Sequence, residues 1–158
     1  MSAENANTIN RFYSAFQQKD FKTMQDCYAD NAHFSDAVFV NLDARQVRVM
    51  WEMLCKAGKD LTLEYQILNV DDKSGEAKWT AHYTFSKTGR KVVNHIKANF
   101  EFVNGKIIRH NDDFNFYAWA KQALGAIGFL LGWTPFLRSK VRKGAMSNLG
   151  KFMASASK

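Results

Sequence analysis

The chain is short of three things. It has one proline, Pro135, and two cysteines, Cys27 and Cys55, and residues 114–158 hold no aspartate or glutamate at all. Two isolated cysteines, without a Cys-x-x-Cys spacing or paired histidine ligands, exclude a disulfide framework and a zinc site and suit a reducing compartment. Long apolar runs are missing too. The longest candidate, ALGAIGFLLGW, falls well below the roughly 18 to 20 residues that span a bilayer. The opening MSAENANTIN has neither the basic nor the apolar region of a secretory signal. The expectation is a soluble cytoplasmic protein that uses no metal and no other cofactor.

What is present is a chain of 158 residues, enough for one compact domain with a sizeable core. Aromatic residues make up 14 %, so large rings either line something or fill the interior. The net charge of +7 is unevenly placed. Acids and bases balance up to residue 113, and the whole excess comes from Lys121, Arg138, Lys140, Arg142, Lys143, Lys151 and Lys158. The C-terminal part is therefore an electrostatic unit of its own.

Helical spacing marks residues 6–18, where Ile9, Phe12, Tyr13 and Phe16 share a stripe. Asp20 is placed to cap a short second helix, and Asp43 a third that carries Val47, Met50, Trp51 and Leu54 and ends near Gly58. Between them HFSDAVFV reads as extended. After Gly58 the period changes to two: LTLEYQILNV, AKWTAHYTF, RKVVNHIKANFEFV and KIIRHNDDFNF are strands separated by the turns DDKSG, SKTG and VNG, an antiparallel meander. Helix returns over 117–133 and 136–152. The first of these is apolar on nearly all sides, which predicts burial. The element order is that of an α+β protein.

The last strand poses the functional question. In RHNDDFNF, alternation places His110, Asp112, Phe114 and Phe116 on one face and Arg109, Asn111, Asp113 and Asn115 on the other. An imidazole and a carboxylate thus share a wall with two phenylalanines. Either that wall does acid–base work, or His110 is a structural histidine with Asp112 as its orienter.

RFYSAFQQKDFKTMQDCYADNAHFSD resembles the opening helices and first strand of the nuclear transport factor 2-like superfamily, which includes the ketosteroid isomerases and the SnoaL-type polyketide cyclases. TGRKVVNHI and FEFVNGKIIRH resemble its paired long strands and tight turn. The resemblance covers residues 8–117. It implies a cone over residues 1–117, a curved antiparallel sheet closed by the N-terminal helices; residues 118–158 lie beyond the family core and read, from their own pattern and charge, as a basic C-terminal helical extension packed on the same domain. It places Asp36, in YADNAHFSDAV, where the isomerases carry their general base; otherwise Asp36 is a turn residue at the sheet's rim. Two departures count against ketosteroid isomerisation itself. Phe12 stands where those enzymes place an oxyanion-donating Tyr, Ala98 stands where they place its Asp partner, and neither can donate. Tyr13 is one position off, about 100° round the helix.

The expected catalytic set is Asp36 as base, His110 as acid–base partner and Asp112 as orienter. The expected ligand-binding set is Phe12, Tyr28, Trp51, Trp79, Tyr83, Asn94, Ala98 and Phe114, although each ring reads equally as ordinary core. The function these residues suggest is handling of a small apolar molecule by cofactor-free isomerase, cyclase or hydratase chemistry. The alternative is a non-catalytic ligand- or partner-binding module. The resemblance also implies a homodimer through the convex sheet face. The basic tail either packs over the cone mouth or docks on an anionic membrane surface. No nucleic-acid-binding motif is present.

Overall fold

The computed structural model of the chain describes residues 2–156. Three helices come first, α1 (Ser2–Gln17), α2 (Phe21–Asp26) and, after the strands β1 (Tyr28–Ser35) and β2 (Leu42–Asp43), α3 (Ala44–Ala57). The meander follows as β3 (Thr62–Val70), β4 (Ser74–Phe85), β5 (Arg90–Val103) and β6 (Lys106–Phe114). Three helices end the chain: α4 (Phe116–Leu124), α5 (Ala126–Leu131) and α6 (Pro135–Ala156). The helix starts follow the capping logic of the sequence. Asp20 accepts from the Thr23 amide, and Asp43 and Gln46 form a reciprocal capping box.

The six strands form one sheet in the order β2-β1-β6-β5-β4-β3, open between its two edges. The meander is antiparallel throughout, whereas β1 joins β6 in parallel, a pairing that short-range pattern does not reveal. Register breaks between Ile67 and Asn69 and between Glu101 and Phe102 put an extra residue into a strand, which bends it and increases its twist. The sheet curves, and α1 and α3 lie in the hollow with Ile9, Phe12, Phe16, Val47, Met50 and Trp51 buried. The outer face carries polar cross-strand partners such as Thr80 with His95, Glu64 with His82 and Glu76 with Lys97.

Three expectations need correction. The first helix begins at Ser2, four residues before its expected start at residue 6. Phe116 leaves the strand: β6 stops at Phe114, and Asn115 caps α4 by accepting from the Ala118 amide. The single buried helix expected over 117–133 is two helices, broken at Gly125, whose φ of 63° and ψ of −129° suit glycine alone. Only α4 is buried. Ile127, Phe129, Leu130 and Trp133 stand in solvent.

The α6 helix returns across the body of the protein. Leu137 and Leu149 are buried, the Arg142 Nε donates to the Ala37 carbonyl at 2.9 Å, and Phe152 lies under the Lys56 ammonium of α3. It therefore covers the β1–β2 loop and the flank of α3.

Candidate functional site

His110 sits in a box of rings. Phe100, Phe34 and Phe12 approach it with centroids 4.3, 5.0 and 5.6 Å away, and the Trp51 and Tyr28 rings lie nearly parallel to it at 6.3 and 6.1 Å. Its exposure is 0 %, so both ring nitrogens need partners inside the protein. They have them. Nδ1 meets the Tyr28 hydroxyl at 2.7 Å and Nε2 meets Asp112 Oδ1 at 2.9 Å.

The direction of this chain follows from its one pure donor. The Trp51 Nε1–H donates to the Tyr28 oxygen at 2.8 Å. Tyr28 is left with its proton to give, and His110 Nδ1 accepts it. Nε2 then carries the imidazole proton and donates to Asp112. Every group is satisfied with His110 neutral; an imidazolium would strand the Tyr28 proton. Burial pushes the Tyr28 pKa well up, against the hydrogen bond from Trp51, which keeps the phenol protonated as the chain requires.

The chain ends at Asp112. Its Oδ1 is used, while Oδ2 has no hydrogen-bond partner among the described residues, and the residue retains 6 % exposure. Asp36 lies in the loop after β1. Its Oδ1 accepts from the Val38 and Phe39 amides at 2.7 and 2.6 Å, and its pKa is nevertheless raised from 3.8 to about 7. Desolvation is the main cause; the two amides oppose it, the like charge of Asp112 adds to it, and Arg142 works against it. Tyr83, whose oxygen accepts from Trp119 Nε1 at 2.7 Å, also senses Asp36. Asn94 is buried on the inner row of β5, and its side-chain amide makes no hydrogen bond among the described residues.

These polar groups occupy a seam. The main apolar cluster and a second one around Val92, Phe116 and Trp119 share Val38, Tyr83 and Phe114 as neighbours. Asp36 and Tyr83 sit along that seam, with Asp112 below it and α6 above it. An open depression of about 620 Å³ lies over Leu68, Lys78, Thr80, His95, Lys97 and Asp113 and touches the seam only at Phe114. We attach no chemistry to it, since its polar lining is solvated side chains on the outer face.

The sequence-derived set divides accordingly. Asp112 lies near enough for its charge to raise the Asp36 pKa, whereas His110 is walled off and of the two carboxylates meets Asp112 alone. Tyr83, Asn94 and Phe114 border the seam. Phe12, Tyr28, Trp51, Trp79 and Ala98 pack into the solid interior: Phe12 meets Tyr28 at 5.8 Å and Trp51 at 5.5 Å, edge to face. Two participants escaped the sequence reading. Trp119 and Arg142 come from helices whose placement only the tertiary structure gives. Tyr13 is buried despite its offset from Phe12, because α1 is covered on two sides: Phe12 faces Trp51 of α3, and Tyr13 stacks on Tyr65 of β3. The Tyr13 hydroxyl and the Trp79 Nε1 are buried without a hydrogen-bond partner among the described residues. Helical spacing had put Tyr13 on the apolar stripe, which was the available signal.

A model of the SnoaL-like domain matches residues 9–110, and the chain belongs to that family. Among solved structures, an LEH-like epoxide hydrolase of M. tuberculosis superposes with a TM-score of 0.62 at 18 % identity, covering 82 % of this chain and 96 % of its own. A proposed polyketide cyclase of Xanthomonas campestris gives 0.67 at 16 % identity, covering 77 % and 97 %. TerC, crystallised with polyporic acid, gives 0.64 at 12 % identity, covering 75 % and 97 %. No curated protein matches in sequence. At these identities the likeness shows the curved α+β fold and nothing finer.

Proposed function

We propose that the protein binds a small apolar molecule at the seam beneath α6 and moves a proton on it without a cofactor. The observation that carries this reading is the Asp112 Oδ2, unpartnered among the described residues, at the end of a sealed Trp51–Tyr28–His110 relay and close enough to Asp36 for the Asp112 charge to raise the Asp36 pKa. A carboxylate held by one charge-assisted bond in an apolar wall is costly as mere structure. In this reading Asp36, with a pKa near the operating pH, takes or gives the proton. Asp112 holds the second position, and Asn94 and Tyr83 orient the ligand. His110 is a positioning residue that fixes the Asp112 carboxylate. That the family's fold also serves an epoxide hydrolase and proposed polyketide cyclases supports isomerase, cyclase or hydratase chemistry as the class.

The rival, a binding module without turnover, draws support from Phe12 and Ala98, which supply no donor to a developing oxyanion. One experiment separates the two. Cyclic enones and epoxides are incubated with the protein in deuterium oxide and followed by proton NMR. The expected result is deuterium incorporation or ring opening that falls about 100-fold or more in Asp36→Asn and Asp112→Asn, within the range a general base contributes. Saturable binding with no exchange in the wild type would leave the binding module standing and remove the enzyme.

A further inference from the structure

Six large apolar side chains crowd the segment 127–136 and stand in solvent: Ile127 at 59 %, Phe129 at 61 %, Leu130 at 64 %, Leu131 at 41 %, Trp133 at 72 % and Phe136 at 69 % exposed. The other exposed large hydrophobics, Val40, Leu68, Val93 and Val103, are scattered, as is ordinary on any surface. A contiguous group of this kind marks an interaction site.

The local chain is built to present it. A Cβ on Gly128 would lie 1.8 Å from the Ala120 carbonyl oxygen, so α5 rests backbone to backbone on α4. With its thin side turned inward, its bulky side chains have only the outward direction. The polar groups of the tip are already spent within it. The Trp133 indole N–H donates to the Leu130 carbonyl, the Tyr117 hydroxyl to the Phe129 carbonyl, and the Thr134 hydroxyl to the Leu131 carbonyl. A protein partner would be recognised by directional groups; this surface offers few, and a hydrocarbon phase requires that none be left over.

Charge fixes the kind of lipid. On α6 the exposed positions 136, 140, 143, 147 and 151 follow helical spacing and carry Phe, Lys, Lys, Ser and Lys, so a lysine stripe begins at the apolar tip. With no acid anywhere in 114–158, a second copy docking here would set like charges against one another. Among the described residues no helix is long and apolar enough to cross a membrane, so the arrangement proposed is one that lies on the surface.

We propose that the α5 tip and the lysine stripe of α6 form a docking surface for an anionic lipid membrane. Leu130, Trp133 and Phe136 enter the headgroup boundary, and Lys140 and Lys143 meet lipid phosphates. The proposal is independent of the seam chemistry. Asp36→Asn binds vesicles as the wild type does.

The test is co-sedimentation of the full chain with vesicles of phosphatidylcholine alone and of phosphatidylcholine mixed with phosphatidylserine. Binding is expected on the mixed vesicles and much less on the neutral ones. Lys140→Gln with Lys143→Gln should lower partitioning about 25-fold at low salt, about fivefold for each lysine, and the difference should vanish at high salt. Leu130→Ser with Trp133→Ser should abolish binding. Both are exposed, and an unchanged melting curve shows that the fold is retained. In the wild type, brominated lipid should quench tryptophan fluorescence, since Trp133 is the exposed indole. Any one of three results would overturn the proposal: no sedimentation with either vesicle, equal binding by the serine variant, or a dimer in velocity sedimentation that the serine substitutions dissolve while vesicles bind nothing.

Discussion

Trp51 and Trp133 carry the same indole into opposite surroundings. Trp51 is 2 % exposed, with Phe12, Phe16, Phe34 and His110 around it and its N–H given to Tyr28. Trp133 is 72 % exposed among equally apolar neighbours. Composition does not separate the two regions. The curved sheet, α1 and α3 place apolar surface on every side of Trp51. The Gly128 contact brings α5 down on its backbone, and its large side chains are left uncovered by the described residues. An apolar side chain sets a demand for cover; topology decides whether its own chain meets it.

The strongest challenge to this contrast is Trp51→Ala. It removes a ring stacked on His110 and the donor that fixes the direction of the Tyr28–His110–Asp112 chain. The expected loss is about 3–5 kcal/mol in urea unfolding, the usual cost of truncating a buried large aromatic. A loss near zero would mean that the ring box is not the rigid body described here.

Asp36 sharpens the comparison within the interior, because it is a charge where the core prefers none. Its carboxyl holds a proton up to about pH 7 in the folded protein, and the unfolded chain releases it near the ordinary 3.8. Between those values the folded state binds more protons, so stability falls as pH rises from about 4 to about 7 and the loss is complete above that. The full shift corresponds to about 4 kcal/mol as an upper value, reduced by the loop's partial exposure. Asp36→Asn keeps an acceptor for the Val38 and Phe39 amides and titrates nothing. Relative to the wild type it should gain about 2–4 kcal/mol between about pH 5 and about pH 8, read by urea unfolding at each. Parallel curves for the two proteins would show that the carboxylate is well solvated.

Much of this was legible in the sequence, for identifiable reasons. The meander and the inner rows of β5 and β6 follow from strict alternation, and the Asp20 and Asp43 caps from local chemistry alone. Asp36 and Asp112 were singled out as carboxylates amid apolar residues. What was missed depends on contacts distant along the chain. The parallel β1–β6 pairing, the Arg142–Ala37 tie and the Trp119–Tyr83 bond each join segments that no local period connects. The sealing of His110 also required knowing that Tyr28 and Trp51 arrive from different elements. The exposure of α5 inverted the expectation because an all-apolar helix normally finds cover, and this one spends its glycine side on α4.

The smallest effect is the most diagnostic. Trp133→Ala deletes an indole as large as the one at Trp51, and area lost from the side chain alone would predict a similar penalty. In the free protein, however, that ring is mostly hydrated already, and its one hydrogen bond reaches a carbonyl three residues away in its own turn. Water can replace that donor at the surface. Stability by urea unfolding should therefore change by no more than about 0.5 kcal/mol, as for surface substitutions generally. A destabilisation above about 2 kcal/mol in dilute solution would mean that Trp133 is covered in the free chain, by α6 or by a second copy. The two copies are distinguished from α6 by a dependence of the unfolding midpoint on protein concentration.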